Sequence, residues 1–303
     1  MKLERQLKIA LDESRLLILG AQVLFGFQFN GIFQDLFDEL PFPARALVCS
    51  GLTLIMLTIA LLIAPSMQHR IVERGQDSPG VLATATMFTG LALLPLSVAL
   101  AFDVSIAMDR IGGPAWGVIT GAGFFTLAML CWYALAFSVK KRSRPMFEAK
   151  QPKPTPLETQ VDQLLTEARL IIPGAQALLG FQLTVTLTRG FQQLPPESKL
   201  AHAVALVCVG LAVILLMAPA SLHRISFGGQ DDPEFLRLGS VFVVAAPLPI
   251  ALGIALDTYV AAGRALESSR GAATLAVAAI LVLLGLWYAY PLWLRMAERR
   301  ARP

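Results

Sequence analysis

The chain has 303 residues, of which 55% are hydrophobic and 15% charged, and its mean hydropathy is +0.63. Soluble domains carry about 25% charged residues, so this composition excludes a water-covered globule and points to a membrane protein. The formal charge of +4 is small and its basic residues flank apolar runs, so nucleic acid is not an expected partner.

A charged segment, Met1–Arg15, comes first, with Leu3, Leu7 and Leu11 at helical spacing. That spacing predicts a surface-lying amphipathic helix or a membrane-proximal extension of the next helix. No cleavable signal peptide is expected, because the following apolar run is too long for one. Uncharged runs then cover Leu16–Gln34, Ala46–Met67, Gly80–Phe102 and Gly112–Val139. Each can cross about 30 Å of hydrocarbon at about 1.5 Å per residue. A basic segment with Pro145, Pro152, Pro154 and Pro156 follows and predicts an extended linker over 143–156. Four more uncharged runs cover Leu170–Thr188, Ala203–Leu222, Leu238–Leu256 and Gly271–Leu294. The predicted fold is all-α, a polytopic protein of eight transmembrane helices. The first run of each set is the most polar, with Gln22, Gln28 and Asn30 in one and Pro173, Gln176 and Gln182 in the other. A re-entrant course is the alternative for these two. Cys49, Cys131 and Cys208 fall inside predicted spans and read as buried apolar residues.

The second half repeats the first at an offset of 154 residues. Gly20-Ala21-Gln22 recurs as Gly174-Ala175-Gln176, and His69-Arg70-Ile71 as His223-Arg224-Ile225. Gly75-Gln76-Asp77 recurs as Gly229-Gln230-Asp231, and, one residue further on, Trp132-Tyr133-Ala134 as Trp287-Tyr288-Ala289. Roughly a third of paired positions are identical from Glu13 to Arg110. The expected organisation is a repeat over 1–142, the linker, and a second repeat over 157–303. Four spans per repeat is an even number, so the repeats are expected to run parallel, related by a pseudo-twofold axis along the membrane normal. With the N-terminus cytoplasmic, 19 of the 25 Lys and Arg residues fall inside. The positive-inside rule therefore predicts an inner-membrane, multi-pass protein with both termini cytoplasmic.

Glu13-x-Arg15, Gly20-Ala21-Gln22, Phe27, Leu40-Pro41 and Ala64-Pro65-x-x-x-His69-Arg70 resemble a bacterial family of four-helix membrane proteins, "domain of unknown function 6328". The likeness covers each repeat, so the chain resembles a fused tandem of a unit that members usually carry once. The resemblance implies a fold and a membrane location and brings no established activity. Some members carry a sodium:proton antiporter label.

Repeated polar residues are the candidate sites. Arg15, Gln22 and Gly26 share one helical face, as do Arg169, Gln176 and Gly180. Gln22, Gln28, Gln176 and Gln182 predict either a polar chamber between the repeats or interhelical hydrogen bonds. Glu13 and Glu167, two residues before Arg15 and Arg169, are expected to be solvated while the arginines snorkel, with an interhelical ion pair as the alternative. His69, Arg70 and Asp77, with His223, Arg224 and Asp231, form a candidate cytoplasmic loop site, a pH-sensitive or anion-headgroup site on one reading. On the other they compensate a helix C-terminus and cap the next helix. Asp103 and Asp257 are expected to be exposed at span ends, and Pro95 and Pro249 to kink their helices. The aromatic residues around Trp132 and Trp287 read as an interfacial belt. No catalytic, cofactor or metal site is expected: there is no HExxH, GxSxG or P-loop, and a zinc site would need both repeats' His and Asp to converge. The reading is a non-catalytic structural or interaction membrane protein. Transport of an ion or small solute, for example cation:proton exchange, is the alternative. Expected partners are the bilayer and a further copy or another membrane protein, with an ion or small solute on the transport reading.

Overall fold

The structure is a computed structural model that describes residues 3–135 and 154–301, and among them every regular element is helical. Eight long helices account for nearly all of it. They are α1 (Leu3–Gly31), α2 (Phe42–Ile71), α3 (Pro79–Gly112) and α4 (Pro114–Ala134), then α5 (Leu157–Val185), α6 (Pro196–Ile225), α7 (Pro233–Leu266) and α8 (Ser269–Ala297). Most of the linker expected over 143–156 lies outside the described residues.

Local chemistry sets the helix boundaries. Proline in the first turn starts α2, α3, α4, α6 and α7, where its missing N–H costs nothing. The hydroxyls of Ser78 and Ser268 and the carboxylate of Asp232 cap α3, α8 and α7. The α2–α3 and α6–α7 turns share one device. Arg74-Gly75 and Gly228-Gly229 take left-handed backbone angles, and the Gly75 and Gly229 N–H groups close back on the His69 and His223 carbonyls at 3.1 and 2.7 Å.

Seven of the eight helices are long and apolar enough to cross a membrane. The eighth, α1, carries a shorter apolar segment, Leu16–Gly31. It is one unbroken helix from Leu3, so Leu3–Arg15 extends the apolar segment rather than forming a separate surface helix. Its partner α5 also runs unbroken, through Pro173. Pro95 sits within a continuous α3, whereas α7 is interrupted at Ala246. The difference has a cause: α7 carries two prolines, Pro247 and Pro249, and each removes a backbone donor. The last helix of each repeat contains a π-type turn, Leu130–Ala134 and Gly285–Ala289. There the Tyr133 and Tyr288 hydroxyls donate to the equivalent carbonyls of Gly90 and Val244, at 2.6 and 2.7 Å.

The repeats meet along α1 and α5. Phe27 and Phe181, equivalent positions, stack with centroids 4.6 Å apart. Away from that pair, the contacts do not exchange as a twofold axis requires. Gln22 lies against Gly174, while its equivalent Gln176 is exposed and a Cβ added at Gly20 would meet nothing within 4 Å. Helix α2 packs on α7 and α8, whereas among the described residues α6 makes at most marginal contact with α3 and α4. Trp287 is fully buried at this α2 contact, donating its indole N–H to the Ala60 carbonyl at 2.9 Å. The interfacial belt therefore loses this member to the core, because α8 is covered by α2 where α4 is not. Cys131, likewise, is exposed on α4 rather than buried.

Candidate functional site

At the end of the bundle that carries the α2–α3 turn, the first repeat grips the second. Glu167 of α5 is fully buried, with one carboxylate oxygen 2.7 Å from His69 Nδ1 and the other accepting from Arg70 Nε. His69 and Arg70 are also buried. The expected solvated glutamate is thus a buried ion-pair centre, because α2 and α5 close over it. A buried carboxylate is tolerated when paired and hydrogen-bonded. Beside it, Gln163 donates to Asp77 at 2.8 Å, Thr155 Oγ1 accepts from the Asp77 N–H, and Gln76 Oε1 accepts from the Thr155 N–H. The loop of the first repeat therefore clasps the start of α5.

The second repeat's equivalents are not used this way. Arg224 and Asp231 are exposed, His223 is half-buried against the Phe235 ring, and Glu13 is exposed. The six loop residues do not form one site: His69, Arg70 and Asp77 come together around α5, and His223, Arg224 and Asp231 stand apart.

The opposite end holds two equivalent carboxylates in different states. Gln28 of α1 donates its amide to both oxygens of Asp103 of α3, at 2.8 Å each. Gln182 of α5 donates to Asp257 of α7 at 2.7 Å. These pairs occupy matching positions, and neither aspartate is an exposed span end. Helices α3 and α7 continue well past them, which draws both carboxylates inside the bundle. Gly51 makes room for the first pair, since a Cβ there would lie 3.2 Å from Gln28 Nε2.

In the second repeat the site is sealed. His202 of α6 puts Nδ1 3.0 Å from Asp257 Oδ1, and its Nε2 lies 3.0 Å from the Gln182 carbonyl. The Phe29 ring of α1 stacks on this imidazole at 5.6 Å, and Phe191 meets it edge-on at 5.2 Å. Arg264 closes the top with bonds to the Ile32 and Gly190 carbonyls and to Asp38, and lies over the Phe33 ring. In the first repeat the site is open. Val48 stands where the second repeat has His202, and the residues matching Phe29 and Phe33 are Leu183 and Leu187, both pointing outward. The space left is a cavity of about 480 Å³ walled by Leu24, Phe27, Phe37, Leu40, Val48 and Ile106, with Asp103 and Gln28 as polar groups and Arg110 at the rim.

The four glutamines do not face one chamber. Gln22 is buried on Gly174, Gln28 and Gln182 serve separate aspartates, and Gln176 is exposed. Arg169 is exposed, and the side chain of Arg15 lies outside the described residues. His202 and Arg264 carry much of the sealed site, yet sequence reasoning passed over them. His202 has no repeated partner, so a search for recurring polar residues discards it. Its signal was a mismatch, a histidine aligned with a valine.

The family of unknown function DUF6328 matches the chain twice, over residues 1–136 and 153–291. No curated protein and no solved structure matches it.

Proposed function

We propose a non-catalytic structural or interaction role in a cell's inner membrane for this chain, which belongs to the DUF6328 family as a tandem duplication. On this reading α1 is the eighth span, both termini are cytoplasmic, and two four-helix repeats act as one fixed pair. The observation that carries it is where the buried polar groups go. Glu167 is consumed by His69 and Arg70, Asp257 by His202 and Gln182, and Arg264 by carbonyls of both repeats. These groups hold helices to helices instead of lining a shared passage. The interaction partner is a further copy of the chain or another membrane protein. The unmatched ends, Glu13 on one repeat and Arg224 on the other, supply complementary charges for it.

Transport through a glutamine-lined chamber is the competing reading, and the outward-facing Gln176 gives it no support. The test is flux. Purified protein in liposomes under imposed proton, sodium, potassium and chloride gradients is expected to leak no faster than empty vesicles. Flux above that background, slowed by Gln22→Leu, would overturn the structural reading.

A further inference from the structure

The open site of the first repeat has its occupant drawn in the second. In the sealed site a ring nitrogen, His202 Nδ1, meets the Asp257 carboxylate, and the ring that carries it lies between the faces and edges of Phe29 and Phe191. The first repeat keeps the carboxylate, keeps the glutamine that holds it, and keeps the aromatic wall as Phe37, but replaces the nitrogen ring by Val48 and a cavity. What is missing there is a nitrogen donor on an apolar body.

One further observation narrows the ligand. Among the described residues no cation lies within salt-bridge distance of Asp103; the rim residue Arg110 pairs instead with Glu39, at 3.7 Å. A carboxylate without a cationic partner in an otherwise apolar cavity favours a cation that donates hydrogen bonds to it. A quaternary ammonium cannot donate, and a lipid acyl chain offers neither charge nor donor. The cavity, about 480 Å³, has room for a ligand of some ten heavy atoms.

We propose that the first repeat binds a small organic ammonium with an apolar, arylalkyl body, its nitrogen donating to Asp103. The second repeat has closed the same site with its own imidazole.

The test uses the full chain in lipid nanodiscs with tritiated 4-phenylbutylammonium, counting only label displaced by excess unlabelled compound. Wild type is expected to bind one equivalent, with 4-phenylbutanol competing at least tenfold more weakly. Asp103→Asn is expected to lose at least tenfold in affinity. Val48→His, which builds the second repeat's plug into the first, is expected to block binding; its thermal midpoint, read alongside, shows that the fold survives. Absence of displaceable binding to wild type overturns the proposal, as does equal affinity in Asp103→Asn. Equal competition by 4-phenylbutanol also overturns it, and marks the cavity as an apolar groove for lipid or for a neighbouring helix.

Discussion

The weight carried by a residue here depends on which repeat it occupies. Glu13 and Glu167 are equivalent in sequence, but only Glu167 is enclosed, between His69 and Arg70. Removing one member of a buried ion pair leaves the other charge unsolvated, at a cost of roughly 3–5 kcal/mol. Glu167→Gln is therefore expected to destabilise the protein by about that amount, while Glu13→Gln stays within about 0.5 kcal/mol. Denaturant unfolding of both variants in the same detergent measures the contrast, and equal effects would place the repeats' grip elsewhere. The sequence marked both glutamates as polar and near a span, yet it could not tell them apart. Burial of Glu167 is decided by α2 of the other repeat, well before it in the chain, and no local pattern encodes that contact.

One helix–helix contact left a spacing signature of small residues, though a search for repeated polar residues does not look for it. Gly113, Gly117 and Gly121 recur every four residues along the start of α4. A Cβ at Gly117 would lie 2.7 Å from the Ser105 carbonyl oxygen, and one at Gly121 2.9 Å from that of Ala101. Both obstacles are backbone, so α4 touches α3 through its glycines and neither side can yield cheaply. Gly117→Val is expected to destabilise by about 1–3 kcal/mol through forced separation of the two helices. Gly123→Val, on an open face of the same helix, is expected to change stability by no more than about 0.5 kcal/mol. Thermal unfolding followed by circular dichroism reads both, and a harmless Gly117→Val would show that α3 and α4 are not in close contact. That the chain is built of long apolar helices was legible for a related reason: uncharged runs and prolines act within one helix. The interruption of α7 at Ala246 and the loss of Trp287 to the core were less so, since one needs the combined effect of two prolines and the other a partner from the first repeat.

At the scale of the molecule, duplication was plain in the sequence and its symmetry was overstated there. Identity at paired positions suggests equivalent surroundings, but side chains that differ between the repeats decide how they fit. Phe29 and Phe33 enter the second repeat's site, while Leu183 and Leu187 face outward. One such difference, Val48 against His202, separates an open carboxylate from a sealed one. The proposed orientation in the membrane rests on the basic residues, 19 of 25 of which fall on the linker's side if all eight helices span. A single cysteine at Lys150, in a chain whose own cysteines are replaced, is expected to resist impermeant maleimide in intact cells and to react once the cells are opened. Labelling in intact cells would invert the topology.

The aromatic plug of α1 also bears on biogenesis. The least apolar of the eight helices is made first, and Phe29 and Phe33 have no pocket until Phe191 and His202 have been synthesised. Until α5 and α6 are made, α1 lacks the partners that bury its aromatic face. Its final seat is thus fixed by the second repeat. A ribosome stalled before α5 leaves that face uncovered, so quality control that senses exposed aromatic surface can reject an incomplete chain at its very first helix.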